Sequence, residues 1–175
     1  KVRIIKHGVG DFYSYQSPFD NSLKVESGLL IKGTQFLHTL PNGKTEILTY
    51  TFNTTTDTGK GTVPVKDCSL EIKNLPVGRH TLKEIKVGTE IVNEHNISNE
   101  ELNNKSFSNN FEVSNDEIEF EVKADGSIRD RTGSKSSIET YTSNDEELYV
   151  MTDYLKPYDL KIIKKDNYGN LIPNV

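Results

Sequence analysis

The chain of 175 residues is long enough for one domain of ordinary size with a core, and for part of a second. Its net charge of -5, with the lysines scattered, argues against a nucleic-acid partner, because binding to phosphates depends on clustered Lys and Arg. The single cysteine, Cys68, excludes an internal disulfide framework and a multi-thiolate metal site. With no apolar run long enough to cross a bilayer and no signal peptide, we expect a cytosolic chain or one whose targeting segments have been removed.

The first half of the chain reads as strands separated by loops. Val2–Lys6, with three apolar β-branched residues, predicts a strand, and the aromatic segment 11–21 reads as a long loop. Strands are predicted over residues 35–40 and 45–52, because the Asn42-Gly43 pair between them is a strong hairpin signal. The threonine-rich segment 51–62 reads as a connection.

The second half continues the same pattern. Further strands are predicted over residues 69–72, 79–86, 118–122, 136–141 and 147–153, with turns at 74–78, 124–127 and 143–145. Residues 87–110 lack alternation and read as a long insertion, with at most one or two helical turns over 98–102. Many short strands with regular turns predict an all-β, Ig-like Greek-key β-sandwich with long loop insertions.

Three of the predicted strands each carry an ionisable residue in phase with their apolar side chains. Lys6 shares a face with Val2 and Ile4, Glu84 with Leu82, and Asp153 with Tyr149 and Met151. If these faces point inward, a buried lysine meets two carboxylates, which is either an expensive defect or a reactive site. The alternative reading is that the strand phase is misjudged and all three side chains are solvated.

A short internal repeat suggests a second module. The segment 2–8 near the start is echoed by residues 160–166, which predicts one domain over 1–156 and a junction with the start of a truncated second domain over 157–175. In that second domain Lys164 occupies the position of Lys6, and its partner would lie beyond Val175. We therefore expect the chain to be a fragment of a longer protein.

Five pieces of the chain, taken together, resemble the Cna B-type domains of Gram-positive pilins and surface adhesins. The family's Leu-x-Gly-Ala-x-Phe pattern is similar to residues 30–36, and its Leu-Pro-x-Gly-x-Tyr-x-Leu-x-Glu pattern to residues 75–84; the other pieces are 4–6, 120–128 and 149–157. The sequence departs from the family where His80 replaces a common tyrosine, in residues 86–89, and in the insertion that follows.

The resemblance implies a covalent bond between side chains. In the family a lysine of the first strand joins an asparagine or aspartate of the last, assisted by a glutamate on a middle strand; carried over by motif, these are Lys6, Asp153 and Glu84. Burial favours a neutral Lys6 amine and a protonated Glu84, so the amine could attack the Asp153 carboxyl carbon while Glu84 shuttles protons. In the loop-entropy model, the link would stabilise the domain by roughly 5 kcal/mol.

The resemblance further implies a structural stalk module of a cell-wall-anchored, extracellular pilin or adhesin that resists force and proteolysis. Its expected partners are neighbouring domains or pilin subunits and, as a candidate, host extracellular matrix; no membrane insertion is expected. A competing hypothesis is an adhesin module that binds host protein or glycan through the loop 87–110 or through the aromatic residues Phe12, Tyr13, Tyr15 and Phe19. Lys156 is a candidate sortase attachment lysine, but Lys156-Pro157 is also an ordinary end for such a domain, which is the favoured reading.

A multiple-turnover enzyme has the least support. The acidic residues Asp116, Glu117 and Glu119 fit a solvated strand face, and the sequence contains no Ser-His-Asp motif or phosphate loop. Cys68 lies in a sequence unlike a thioester motif, which predicts a buried structural cysteine. The histidines His7, His38, His80 and His95 lack metal-ligand spacing, so we predict structural or surface roles for them and no metal or cofactor.

Overall fold

The described part of the chain contains thirteen strands and one helical turn. A computed structural model of the protein describes residues 1–8, 25–26, 29–52, 62–63, 65–92, 111–143 and 146–154. The elements are β1 (Val2–Gly8), β2 (Val25–Glu26), β3 (Leu29–Lys32), β4 (Gln35–Thr39), β5 (Thr45–Thr49), β6 (Thr62–Val63), α1 (Val65–Cys68), β7 (Leu70–Ile72), β8 (Gly78–Lys86), β9 (Glu90–Val92), β10 (Glu117–Val122), β11 (Ile128–Asp130), β12 (Ile138–Ser143) and β13 (Glu146–Asp153).

The first large sheet is built around the first and last strands of the domain. Its order is β12-β13-β1-β3-β9, and β1 pairs with β13 in parallel over its whole length. The other edge of β1 is shared, because β7 pairs with Val2–Ile4 and β3 with His7–Gly8. Neighbours of opposite phase, such as Ile4 and Ile5 on β1, are both buried, which is typical of a central strand covered on both faces.

The second large sheet is antiparallel and packs its apolar face on the first. Its order is β11-β10-β8-β4-β5. Side chains alternate along β8, where His80, Leu82 and Glu84 are buried while Thr81 and Lys83 are not. The core between the sheets contains Val2, Ile4, Phe36, Leu82, Ile118, Phe120, Tyr149 and Met151. The predicted all-β sandwich is confirmed.

The hairpin turns follow the predicted Gly positions. Gly43, between β4 and β5, has φ 84°, and Gly126, between β10 and β11, has the same value. Such a left-handed conformation costs glycine nothing, whereas a Cβ would disfavour it. The turn at 74–78 is also present, but the strands on either side of it lie in different sheets, because β7 pairs with β1 whereas β8 pairs with β4 and β10.

Other features add to or lie beyond the predicted elements. The helical turn α1 was not predicted, and its Cys68 is buried, with the Tyr50 hydroxyl donating to the Cys68 carbonyl at 2.5 Å. β9 lies within the segment 87–110, for which the sequence predicts a loop. The aromatic segment 11–21, the proposed helix 98–102, the candidates Lys156 and Lys164, and the junction and second domain lie outside the described residues.

No helix in the described part of the chain is long and apolar enough to span a membrane.

Candidate functional site

Strand pairing brings Lys6, Glu84 and Asp153 to one place in the core. Lys6 on β1 lies opposite Met151 on β13, and Asp153 follows Met151 by two residues on the same face. That face meets the second sheet, where the alternation of β8 turns Glu84 inward. The three side chains therefore come from two neighbouring strands of one sheet and the middle strand of the other.

The amine lies close to both carboxylates. Lys6 Nζ lies 2.6 Å from Asp153 Oδ1 and 3.8 Å from Glu84 Oε2. Lys6 is 0% exposed, and Glu84 and Asp153 are 1% exposed each, so the inward strand phase predicted from the sequence is confirmed. Charges this far from water are stabilised only by one another and by hydrogen bonds, because the desolvation penalty is several kcal/mol per ion.

The hydrogen bonds of the amine go to backbone carbonyls. Lys6 Nζ donates to the carbonyls of His7 at 3.2 Å and Met151 at 3.4 Å. Although the Asp153 carboxylate is closer, neither of its oxygens has a hydrogen-bond partner of acceptable angle in the described part of the chain. The amine thus lies against the Asp153 carboxyl group at hydrogen-bond distance without hydrogen-bond geometry.

Burial shifts the two groups flanking Asp153 toward their neutral forms. Burial lowers the pKa of Lys6, and the nearby Glu84 and Asp153 carboxylates oppose this change. Burial also raises the pKa of Glu84 to about 8; Asp153 adds to the rise, while Lys6 and the Ser114 N–H oppose it. A neutral amine is a nucleophile and a protonated carboxyl is a proton donor, so the pair is suited to acyl chemistry at Asp153.

A short segment, residues 112–116, covers the carboxylate end of this site. The Ser114 N–H donates to Glu84 Oε2 at 2.9 Å, and the Glu112 N–H donates to the carbonyl of Tyr154 at 3.0 Å. Beside it, a cavity of about 210 Å³ is lined by residues 112–116, 136–137 and 152–154. Asp153 is among the lining residues, so the cavity lies next to the buried site.

A second buried polar chain lies elsewhere in the second sheet. His38 Nδ1 is 2.7 Å from Glu46 Oε1, His38 Nε2 is 2.8 Å from His80 Nδ1, and His80 Nε2 is 2.7 Å from the Pro76 carbonyl. The His80 ring also stacks on Phe120, with centroids 5.0 Å apart. Burial lowers the pKa of His80. These histidines are structural, in agreement with the sequence-based prediction.

The remaining predicted residues do not join the site. Cys68 is buried, and the acidic residues Glu117 and Glu119 are half-buried on β10. Asp116 is different, since its carboxylate accepts from the Ser137 hydroxyl at 2.6 Å. No cluster of potential metal ligands occurs among the described residues. The loop residues proposed for ligand binding, Phe12 to Phe19 and those of 93–110, lie outside these residues, so that hypothesis stays a prediction.

Reasoning from the sequence missed Ser114 and the paired histidines. Ser114 acts on Glu84 through its backbone N–H, a group that every residue except proline carries, so no sequence signal marks it. For the histidines a signal existed, because His38 and His80 both fall in the inward phase of predicted strands. The sequence alone does not show the strand register that places the two histidines side by side.

Comparison with known proteins finds a likeness of fold. No protein-family model matches the chain, and no curated protein matches it. Among solved structures, the pilus adhesin SpaC from Lactobacillus rhamnosus GG, in its open conformation, is similar with a TM-score of 0.50 and 12% identity over 92% of this chain. A C-terminal fragment of SpaC has a TM-score of 0.48 and 12% identity over 92% of this chain and 46% of that fragment.

This chain covers 15% of the SpaC structure in the open conformation. At such low identity the likeness concerns the fold, which is that of a domain found in a pilus adhesin. The resemblance to Cna B-type domains stays a prediction.

Proposed function

We propose that this chain is a structural module of a Gram-positive pilin or surface adhesin, of the Cna B type, braced by an amide bond between the side chains of Lys6 and Asp153. The contact of 2.6 Å between a fully buried amine and a buried carboxylate carries the proposal. A sandwich fold like that of a domain in a pilus adhesin suits this role. The module would act outside the cell, linked to other domains or subunits of the same surface protein.

The proposed reaction forms one C–N bond and releases one water. After a proton passes from the Lys6 ammonium to the Asp153 carboxylate, the neutral amine attacks the Asp153 carboxyl carbon. Glu84 then donates its proton to the departing hydroxyl and takes a proton from the nitrogen, so Glu84 ends as it began. The C–O bond breaks, water leaves, and the uncharged amide remains. Each chain performs this reaction once on itself, so the protein is not an enzyme in the sense of multiple turnover.

The bond would remove the cost of burying the charges. Before reaction, two ionisable groups sit in the core with few hydrogen bonds; afterwards a neutral amide replaces them. The new link would close a loop of about 150 residues and stabilise the folded state by roughly 5 kcal/mol in the loop-entropy model. An amide, unlike a disulfide, is not reduced, which suits a chain whose described part holds a single buried cysteine.

Intact mass tests the proposal directly. We expect the purified protein to lack the mass of one water, and Lys6→Ala and Asp153→Ala to have the full mass and a lower melting temperature. Glu84→Gln keeps the shape but loses the proton, so it should have the full mass or react much more slowly.

The matched control is Lys83→Ala, which removes an outward lysine beside Glu84 on β8. This variant should lack one water like the parent. A full, unmodified mass in the parent protein would overturn the proposal.

A further inference from the structure

The segment 112–116, which we call the strap, is fastened on both sides of the candidate site. The Glu112 N–H bonds the Tyr154 carbonyl, next to Asp153 at the end of β13. The Ser114 hydroxyl lies 2.8 Å from the Ser137 hydroxyl, and Asp116 accepts from the Ser137 N–H at 3.2 Å and from its hydroxyl at 2.6 Å. The Asp116 N–H in turn donates to the Ser114 hydroxyl at 3.2 Å. The backbone of Ser114 is thus held in a fixed position over Glu84.

The Ser114 N–H distinguishes the two oxygens of Glu84. It donates to Oε2 at 2.9 Å, and an N–H bond is best accepted by the carboxyl oxygen that carries no proton. Oε2 is also the oxygen 3.8 Å from the Lys6 amine. Oε1 is buried and has no hydrogen-bond partner among the described residues. When Glu84 is protonated, the arrangement therefore favours the proton on Oε1 and leaves Oε2 open toward the amine.

We infer that the backbone N–H of Ser114 is a positioning group for bond formation. It fixes the proton of Glu84 on Oε1, and it leaves Oε2 free to receive the proton that the Lys6 nitrogen loses after it has attacked Asp153. This inference rests on the proposed function. A carboxyl that gives a proton from one oxygen and takes one at the other needs no rotation between the two steps. The strap fixes which oxygen of Glu84 gives a proton and which receives one. The bonds from Asp116 to Ser137 hold the strap in place.

Removing the N–H while keeping the strap is the direct test. Ser114→Pro lacks the donor, whereas Ser114→Ala keeps it and loses only the hydroxyl. Val113→Pro is the matched control, because Val113 is partly exposed and its N–H has no hydrogen bond within the described ranges. Chains dissolved from inclusion bodies in urea are diluted into a series of buffers, and the loss of water is followed by intact mass.

The expected result has two parts. Ser114→Pro should form the bond at least about tenfold more slowly than Val113→Pro, since a single preorganised donor commonly contributes an order of magnitude or more. The alkaline limb of its pH–rate profile should also move to higher pH, because the lost N–H had lowered the pKa of Glu84. A merely structural defect would slow folding without moving this limb. Ser114→Ala keeps the N–H but loses the hydroxyl's bonds to Ser137 and Asp116, so its rate should fall while its alkaline limb stays where the parent has it.

The outcomes separate the inference from the function on which it rests. If the parent protein never loses water, the proposed function is wrong. If the parent reacts and Ser114→Pro matches Val113→Pro in rate and pH profile, the positioning role alone is wrong. Should Ser114→Pro fail to refold by circular dichroism, an α-hydroxy acid at position 114 replaces only the N–H by oxygen. The same shift of the alkaline limb is then required.

Discussion

At the scale of single residues, His7 makes the stability of the folded state sensitive to acid. It lies beside Lys6 on β1 and is fully buried. Burial, with a contribution from Lys6, lowers the pKa of His7 from 6.5 to about 3. Below pH 6.5 the unfolded chain binds a proton at this site that the folded chain does not bind until about pH 3. The folded state is therefore stabilised above this window and loses stability as the pH falls through it.

We expect the free energy of unfolding to fall by about 1.4 kcal/mol per pH unit through this site alone. His7→Asn should be less stable at neutral pH but should lose less stability than the parent on acidification. Urea unfolding at a series of pH values gives the change of the unfolding free energy with pH for the parent and for the variant. Equal slopes in the parent and the variant would show that His7 does not carry the effect.

The hydrogen-bond chain through His38 and His80 fixes where its protons lie. The Pro76 carbonyl only accepts, so His80 carries a proton on Nε2 and, with its lowered pKa, presents a bare Nδ1 to His38. At the other end His38 Nδ1 lies 2.7 Å from Glu46 Oε1, so His38 bridges His80 and Glu46.

Nitrogen NMR of the histidine rings tests this assignment. At neutral pH we expect His80 to carry a proton on Nε2 only. A proton on Nδ1 of His80 in the parent protein would contradict the assignment.

Some properties of the candidate site can be predicted from the sequence, and others cannot. The inward phase of Lys6, Glu84 and Asp153 follows from alternation along their strands, because each has apolar neighbours two residues away. Their convergence does not follow from alternation, since it depends on the parallel register of β1 with β13 and on the stacking of the two sheets. In the sequence, only the family resemblance linked the three.

At the scale of elements, the connection after β8 is packed too closely for any side chain. A Cβ at Gly88 would lie 2.1 Å from the Lys32 carbonyl oxygen and 2.5 Å from the Thr34 nitrogen, both of which are backbone atoms. The Gly88 N–H also donates to the Thr34 hydroxyl at 2.9 Å. Backbone atoms cannot move aside as a flexible side chain does, so the turn after β3 and the end of β8 depend on this glycine.

Gly88→Ala should cost about 2 to 3 kcal/mol of stability, as is typical of overpacking. Gly43→Ala is the matched control, because Gly43 has positive φ but no atom within 4 Å of its Cβ position, and it should cost about 1 kcal/mol. Urea unfolding midpoints give both differences in stability, provided that the dependence of the unfolding free energy on urea concentration is unchanged. A Gly88 variant no less stable than the Gly43 variant would mean that the close packing is readily relieved.

Elements with a local signal were predicted, and elements without one were not. The hairpin β4–β5 depends on Asn42-Gly43, whose turn chemistry acts over four residues, and Asp125-Gly126 predicts the reversal after β10 in the same way; the strand β11 that follows this reversal was not predicted. β9 and α1 span three and four residues, too few to show any periodicity. They exist because neighbouring elements hold them, as β3 pairs with β9. Such tertiary support has no local signature.

At the scale of the whole molecule, the proposed bond would govern how the domain responds to pulling. Without the bond, unfolding between positions 6 and 153 would release roughly 500 Å of chain, at about 3.4 Å per residue. We expect single-molecule stretching of the parent protein to show no such extension, and Lys6→Ala to show it. Lys83→Ala, with its outward lysine removed, should behave like the parent. A full-length extension of the parent would contradict the brace.

The parallel pairing of β1 with β13 has a consequence for the rest of the chain. Tension would enter at the start of β1 and leave at the end of β13, so it runs along both strands and loads their hydrogen bonds together in shear. With an amide between Lys6 and Asp153, the load path would pass through a few residues of β1 and then directly into the end of β13. Residues 7–152 would then carry none of the tension. Loops in that interval could then lengthen or diverge without weakening the domain under tension, so mechanical strength and surface variation would evolve independently.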